Sequence, residues 1–315
     1  MSITAAEAYA PATVANLGVG FDILGLAVAE PGDTIRAEWS DTPGVTIADI
    51  TGDGGKLPRE SAKNTACVAA QSALKLAGET RGVRLTIHKG LPAASGLGSS
   101  AASAVAGAVA VNALMGEPLS RGDLLPPSLD GEAVASGYHP DNVAPCLFGG
   151  ITLAVGLTAD RVFSLPVPEN LHLALVTPHI EVATALARAA LPAEIPLKQM
   201  VSQTASVAEL IHAIYTGDLD LMAAAMERDR VIEPAREHLM PFLRNVRAAA
   251  KRAGALGMVI SGAGPTLLAV CNSKSTAEAA AASMKAVYEL EGIGATAQAS
   301  MVAHDGARVL RIEHK

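Results

Sequence analysis

The sequence predicts a mixed α+β fold in two domains, and three observations predict it. A chain of 315 residues, 50% of them hydrophobic, exceeds what one core usually fills. Segments with the period of strands alternate with segments with the period of helices through the first half. Beyond Leu153 the pattern restarts, and the stretch from Ala159 to Asn170, with Pro166 and Pro168 inside it, reads as the junction. The expected domains are therefore 1–158 and 159–315.

In chain order, Ile35 to Trp39 and Val45 to Ile50 read as strands, Asn64 to Ala77 as a helix, and Val83 to His88 as a strand in strict alternation. From Gly90 to Gly116 the chain carries no charge and is long enough to invite a membrane reading. Its first third, however, holds Pro92, Gly96, Gly98 and three serines, and the rest is mostly alanine, so a glycine loop feeding a buried helix fits better. Leu171 to Val176 opens the second half as a strand, followed by helical stretches at Val182 to Leu191, Lys198 to Thr216 and Phe242 to Ala253. A strand pair at Met258 to Ile260 and Leu267 to Val270, a helix from Thr276 to Tyr288 and two closing strands complete the chain. No internal repeat or low-complexity tail interrupts it.

Composition removes several function classes. A formal charge of -7 and 3% aromatic residues offer neither the field nor the stacking surface that nucleic acid requires. Cys67, Cys146 and Cys271 are scattered and odd in number, which fits ordinary thiols in a reducing compartment. Ala8-Tyr9-Ala10 mimics a cleavage site, but no basic or apolar run precedes it. The expectation is a cytoplasmic protein with no membrane and no nucleic-acid partner, for which a homodimer is allowed.

The strongest local signal is the run Pro92, Ala93, Ala94, Ser95, Gly96, Leu97, Gly98, Ser99, Ser100, Ala101, Ala102 between a strand and a long helix. Glycines let backbone approach a ligand, and the N–H groups and positive end of the following helix attract phosphate. A Gly/Ser turn that merely caps a buried helix would read the same way. The Walker loop fails, because no GK[ST] follows. Gly96, Gly98 and Ala101 satisfy a dinucleotide fingerprint, but Glu117, at about the expected distance, sits in a turn after the helix. Near the N-terminus, Pro11 to Asp22 packs Asn16 and Asp22 among glycines. Glu132 and the run from Ser136 to Pro145 gather carboxylates, an imidazole and an amide, and Ser261 to Thr266 forms a glycine-rich turn.

Taken in order, PATVANLGVGFD, SGLGSSAA and SGAGPT resemble the three signature motifs of the GHMP small-molecule kinases across nearly the whole chain. HPDNVAP, the segment Thr184 to Arg188 and Glu233-Pro-Ala-Arg236 resemble the branch of that family that acts on L-homoserine. The resemblance implies a ribosomal protein S5 domain 2-like N-terminal domain, a ferredoxin-like C-terminal domain, and ATP with Mg²⁺ as cofactors. It implies that the loop from Pro92 to Ala102 wraps the triphosphate, that Asn64 and Lys89 flank the nucleotide, and that Ser100 and Glu132 hold the metal. Asp22 and Asp141 suit the acceptor's ammonium, Asn16 and Asn142 its hydroxyl end, His139 its orientation, and Arg188 with Arg236 its carboxylate, with Thr184 a further substrate-binding residue. Asp22 is the residue to suspect if a general base operates. The implied reaction makes O-phospho-L-homoserine for threonine biosynthesis; a mevalonate or sugar acceptor, or a catalytically silent binding module, is the alternative. One departure stands out: Ala94 occupies a position where the family usually has glycine, and a positive φ there would strain it.

Overall fold

The computed structural model describes residues 2–315. Strands β1 (Ile3–Ala15) and β2 (Leu24–Ser40) form a long antiparallel pair, followed by β3 (Val45–Thr51), helix α1 (Thr65–Leu76) and β4 (Gly82–His88). The later part of β2, Thr34 to Ser40, pairs with β4, which lies parallel to β3. Then come α2 (Ser99–Leu114), α3 (Leu125–Ala133), α4 (Pro140–Phe148), β5 (Ile151–Ala154) and β6 (Val162–Leu165). Here β5 pairs with the first part of β2, Leu24 to Leu26. One strand thus serves two partners, and a register shift between Pro11 and Ala12 marks the bulge that turns it from one to the other.

The second unit runs β7 (His172–Pro178), α5 (Thr184–Ala189), α6 (Leu197–Thr216), α7 (Leu219–Met226), α8 (Ile232–Arg236), α9 (Leu243–Arg252), β8 (Gly257–Ile260), β9 (Leu267–Cys271), α10 (Lys274–Leu290) and β10 (Ala295–Met301). Its sheet has the order β10-β7-β9-β8, antiparallel throughout, the ferredoxin-like arrangement. The last strand, β11 (Arg308–His314), returns to pair with β1. Strand pairing therefore carries β6 and β11, both beyond residue 158, into the first sheet.

The two sheets are joined through a shared core. Side chains alternate across a strand, and on β7 Leu173 and Leu175 join the core of the first sheet while Ala174 and Val176 join a second core under α9 and α10. On β9, Leu268 and Val270 face the first core, and Leu267 and Ala269 the second. Strand β1 escapes sequence reading because its stretch from Ala10 to Ala15 is buried on both faces, which erases alternation. Helix α2 is buried from Ala101 to Leu114 and so is mostly apolar on every side; among the described residues no helix is long and apolar enough to cross a membrane. Its small residues let α1 come close: a Cβ on Gly107 would lie 2.6 Å from the Ala66 carbonyl oxygen. That packing aims the N-terminus of α2 at the gap between the units.

Candidate active site

A cleft of about 460 Å³ opens there, walled by the glycine loop, the start of α4, α5 and the turn at Gly262. Gly98, at φ 63, ends the loop, and the first bond of the helix runs from Ala102 N to Gly98 O at 2.9 Å. The amides of Ser99, Ser100 and Ala101 therefore precede the helix ladder. The two loop glycines are needed by neighbours: a Cβ on Gly98 would meet Thr13 Oγ1 at 2.0 Å, and one on Gly96 would meet Ser261 O at 2.7 Å. Ala94 sits at φ 52, the left-handed conformation that a residue with a Cβ adopts only at a cost.

The other two motifs clasp this loop. Thr13 N donates to Leu97 O at 3.0 Å, Ser261 Oγ to Gly96 O at 2.6 Å, and Thr266 N and Oγ1 to Ser95 O at 3.1 and 2.6 Å. Asn16 Nδ2 donates to Gly262 O at 3.0 Å while its Oδ1 accepts from Asp22 N at 3.1 Å. Asn16 and Asp22 hold φ of 74 and 61, so the turn between β1 and β2 is shaped by left-handed residues at the cleft itself.

The polar groups fall into two clusters. On the loop side, Glu132 from α3 is buried; its Oε1 accepts from Ser100 Oγ at 2.9 Å and from Ser136 Oγ, and its Oε2 has no partner. Burial pushes its carboxyl up to about 7 against the serine hydrogen bonds. On the far side, Arg188 from α5 makes a two-pronged pair with Asp22, at 2.8 and 3.1 Å. His139 Nδ1 lies 3.9 Å from the same carboxylate, and burial and then the Arg188 charge hold its imidazole below its ordinary pKa. Arg236 is buried, donating to Ala187 O at 3.1 Å and Gly262 O at 2.9 Å. Both guanidinium groups lie by the Phe21 ring, at 5.5 and 5.3 Å from its centroid. Asp141, in the first turn of α4, is buried with Oδ1 unpartnered, and burial, then the charges of Asp22 and Glu132, push it up to about 7. Asn142 accepts from Thr13 Oγ1 at 2.7 Å.

Among the described residues, five buried side-chain polar atoms have no partner, and four of them, Ser95 Oγ, Glu132 Oε2, Asp141 Oδ1 and Arg188 Nε, belong to residues lining this cleft. Such atoms are costly, and their concentration at one place marks where a ligand supplies the missing partners.

Residues 63–150 match the GHMP kinases N terminal domain and residues 210–290 the GHMP kinases C terminal domain. The chain belongs to the GHMP kinase family. A homoserine kinase of Chlorobium phaeobacteroides (strain BS1) is 39% identical, the match covering 96% of this chain and 98% of that protein. The crystal structure of a homoserine kinase from Cytophaga hutchinsonii ATCC 33406 superposes with a TM-score of 0.93 at 42% identity over 97% of both chains. The structure of L. major mevalonate kinase in complex with R-mevalonate shares the fold, with a TM-score of 0.71 at 19% identity over 92% of this chain and 94% of that one.

In this GHMP kinase the cleft gathers Asn16, Asp22, Ser100, Glu132, His139, Asp141, Asn142, Thr184, Arg188 and Arg236. Ala93, Ala94, Ser95, Gly96, Gly98 and Ser99 line it too, whereas Pro92, Leu97, Ala101 and Ala102 do not. Three residues expected beside the nucleotide are already engaged. Asn64 caps α1, accepting from Ala66 N and Cys67 N and donating to Pro58 O. Lys89 Nζ bonds to Asp33, Ser99 O and Ser103 Oγ, so its three hydrogens are spoken for. Ser99 Oγ turns back to Leu91 O at 3.2 Å, leaving Ser100 as the serine of the glycine loop that meets Glu132. Glu117 closes the turn after α2, at φ 59, with its N–H on Asn112 O at 2.8 Å; it ends no strand, and the dinucleotide fingerprint lacks its acid. Sequence reading missed Asp33 and Phe21. For Asp33 a signal existed: it shares the buried parity of β2 with Ile35 and Ala37, and an acid on that face needs a partner.

Proposed function

We propose that the chain transfers the γ-phosphoryl group of ATP to the hydroxyl of L-homoserine, forming O-phospho-L-homoserine in the cytoplasm as a step of threonine biosynthesis. One observation carries this reading: a single cleft places the first-turn amides of α2 and the Ser100–Glu132 pair on one side, and Asp22, Asp141, Arg188 and Arg236 on the other. The first set suits a triphosphate, and the second offers two carboxylates for an ammonium and two guanidinium groups for a carboxylate. Mevalonate and sugars carry no ammonium, so they leave Asp22 and Asp141 unanswered.

The residues present fit Mg²⁺, since the buried, unpartnered Oε2 of Glu132 beside the Ser100 hydroxyl is an oxygen donor set for a hard cation that also takes phosphate oxygens and water. Bound there, the ion would neutralise phosphate charge. The chain's own groups do the rest: the α2 amides orient the triphosphate, Arg188 and Arg236 hold the acceptor by its carboxylate, and Asn16 and Asn142 steer its hydroxyl. Phosphoryl transfer needs little covalent help, so positioning and charge neutralisation carry the step. Asp22 is the candidate to receive the hydroxyl proton, once the acceptor's carboxylate has drawn Arg188 away. All of these groups come from one chain, so the reading does not depend on a homodimer. A coupled ADP-release assay over hydroxyl acceptors tests it: turnover with L-homoserine should exceed L-serine and L-threonine, and a preference for mevalonate or galactose would overturn it. No turnover with any acceptor would favour a silent binding module.

A further inference from the structure

Asp33 belongs to no motif, yet it lies at the root of the glycine loop. It follows the bulge of β2 and is completely buried. Its Oδ1 accepts from Gly90 N and Leu91 N at 3.1 and 3.2 Å, and its Oδ2 pairs with Lys89 Nζ and accepts from Ser103 Oγ at 2.8 Å. Lys89 Nζ in turn donates to Ser99 O and Ser103 Oγ, both at 2.9 Å. Gly90 and Leu91 are where the chain leaves β4 and the loop begins; Ser99 and Ser103 are in the first turns of α2, where it ends. One carboxylate and one ammonium therefore tie both ends of the loop to each other and to β2. The backbones also abut there, since a Cβ on Gly90 would lie 2.1 Å from Gly32 O. A buried ion pair adds little net stability compared with apolar packing of the same volume, so the gain from this one is sought in position.

We propose that Asp33 is a positioning residue for nucleotide binding: through Lys89 and the Gly90 and Leu91 amides it sets the span of the loop, and with it the direction of the α2 amides that receive the triphosphate. This rests on reading the loop as the ATP site. Asp33 lies outside the lining of the cleft and acts through the Lys89 and Ser103 side chains and the Gly90 and Leu91 amides.

The test separates position from stability. Asp33→Asn alone strands the Lys89 charge and destabilises the protein, whereas Asp33→Asn/Lys89→Met removes both charges and should melt close to the parent. In the double variant KM for ATP should remain raised by about 10- to 100-fold, as expected for small misplacement of a site, with KM for homoserine changed by less than about threefold. Amide hydrogen exchange over residues 90–99 should also be faster. A double variant with the parent's melting temperature, ATP KM and loop exchange would overturn the proposal. Should the charge variants not fold, Ser103→Ala, which removes only the shared hydroxyl, should raise ATP KM by about threefold or more, and an unchanged value overturns the proposal equally. If the parent turns over no ATP with any acceptor, the kinase reading fails, while the loop-exchange comparison still decides the role of Asp33.

Discussion

Single residues in the cleft trade folding stability for ligand binding. Glu132 is held by two serine hydroxyls on one oxygen and leaves the other buried and unpaired. Glu132→Gln keeps the shape but removes the anion, so kcat should fall on the order of a hundredfold or more, with a weakened Mg²⁺ response; unchanged kcat and Mg²⁺ dependence would make Glu132 a purely structural acid. Arg188 is closed onto Asp22 in the free protein. An acceptor with both an ammonium and a carboxylate can replace both halves of that pair, whereas one with a single charge leaves a partner unsatisfied. Arg188→Ala should therefore lower kcat/KM for homoserine by roughly thirty- to several-thousand-fold, the equivalent of about 2 to 5 kcal/mol, with ATP binding nearly unchanged. Weakened ATP binding with intact preference for the carboxylate would move Arg188 to the nucleotide side. Arg236 gives a less clean experiment, because its guanidinium also holds the Ala187 and Gly262 carbonyls.

At the scale of elements, α2 carries the site by being small. Alanines and Gly107 fill its buried surface, and their lack of bulk lets α1 and α3 pack closely enough to bring Glu132 to Ser100. The Gly107 backbone faces Ala66 with room for a hydrogen only, a Cβ there being 2.6 Å from the carbonyl oxygen and 3.1 Å from Cα. Backbone cannot yield as a flexible side chain does, so Gly107→Val should cost about 1 to 3 kcal/mol or more, read as a lower denaturant midpoint. An unaltered midpoint would mean that the α1–α2 spacing adjusts freely. The period of this helix is invisible in its sequence, since a helix apolar on every side has no stripe to reveal. What announces it is the absence of charge from Gly90 to Gly116.

For the whole molecule, burial of acids in the cleft links folding to pH. Glu132 and Asp141 have carboxyls raised to about 7 from ordinary values of 4.5 and 3.8. The folded protein thus binds protons more tightly than the unfolded chain at these two groups, and their contribution to stability falls as pH rises from about 4 to about 7. His139, with its pKa lowered, acts in the opposite sense below its ordinary value, so the informative quantity is a difference between variants. The change in melting temperature from pH 5.5 to pH 7.5 should be more negative for the parent than for Asp141→Asn. Equal changes would show that Asp141 does not titrate in that window. Homoserine's ammonium favours the ionised form, so KM for the acceptor should fall over the same rise in pH.

Much of this protein is written locally. Gly96 and Gly98 mark the tight backbone of the loop, a buried helix excludes charge, and the three motifs appear in order along the chain, so the loop, the long helix and the residue types of the site could be read before any coordinates. Partners could not be, because they are distant in sequence: Ser261 reaches Gly96 across 165 residues and Asp22 meets Arg188 across 166. Only the tertiary structure turns Ser99 back onto Leu91, turns Lys89 inward to Asp33, and brings β11 home beside β1. Local sequence restricts φ and ψ, whereas the desolvation and the hydrogen-bond partners that give each group its chemistry are set by the chain packed around it.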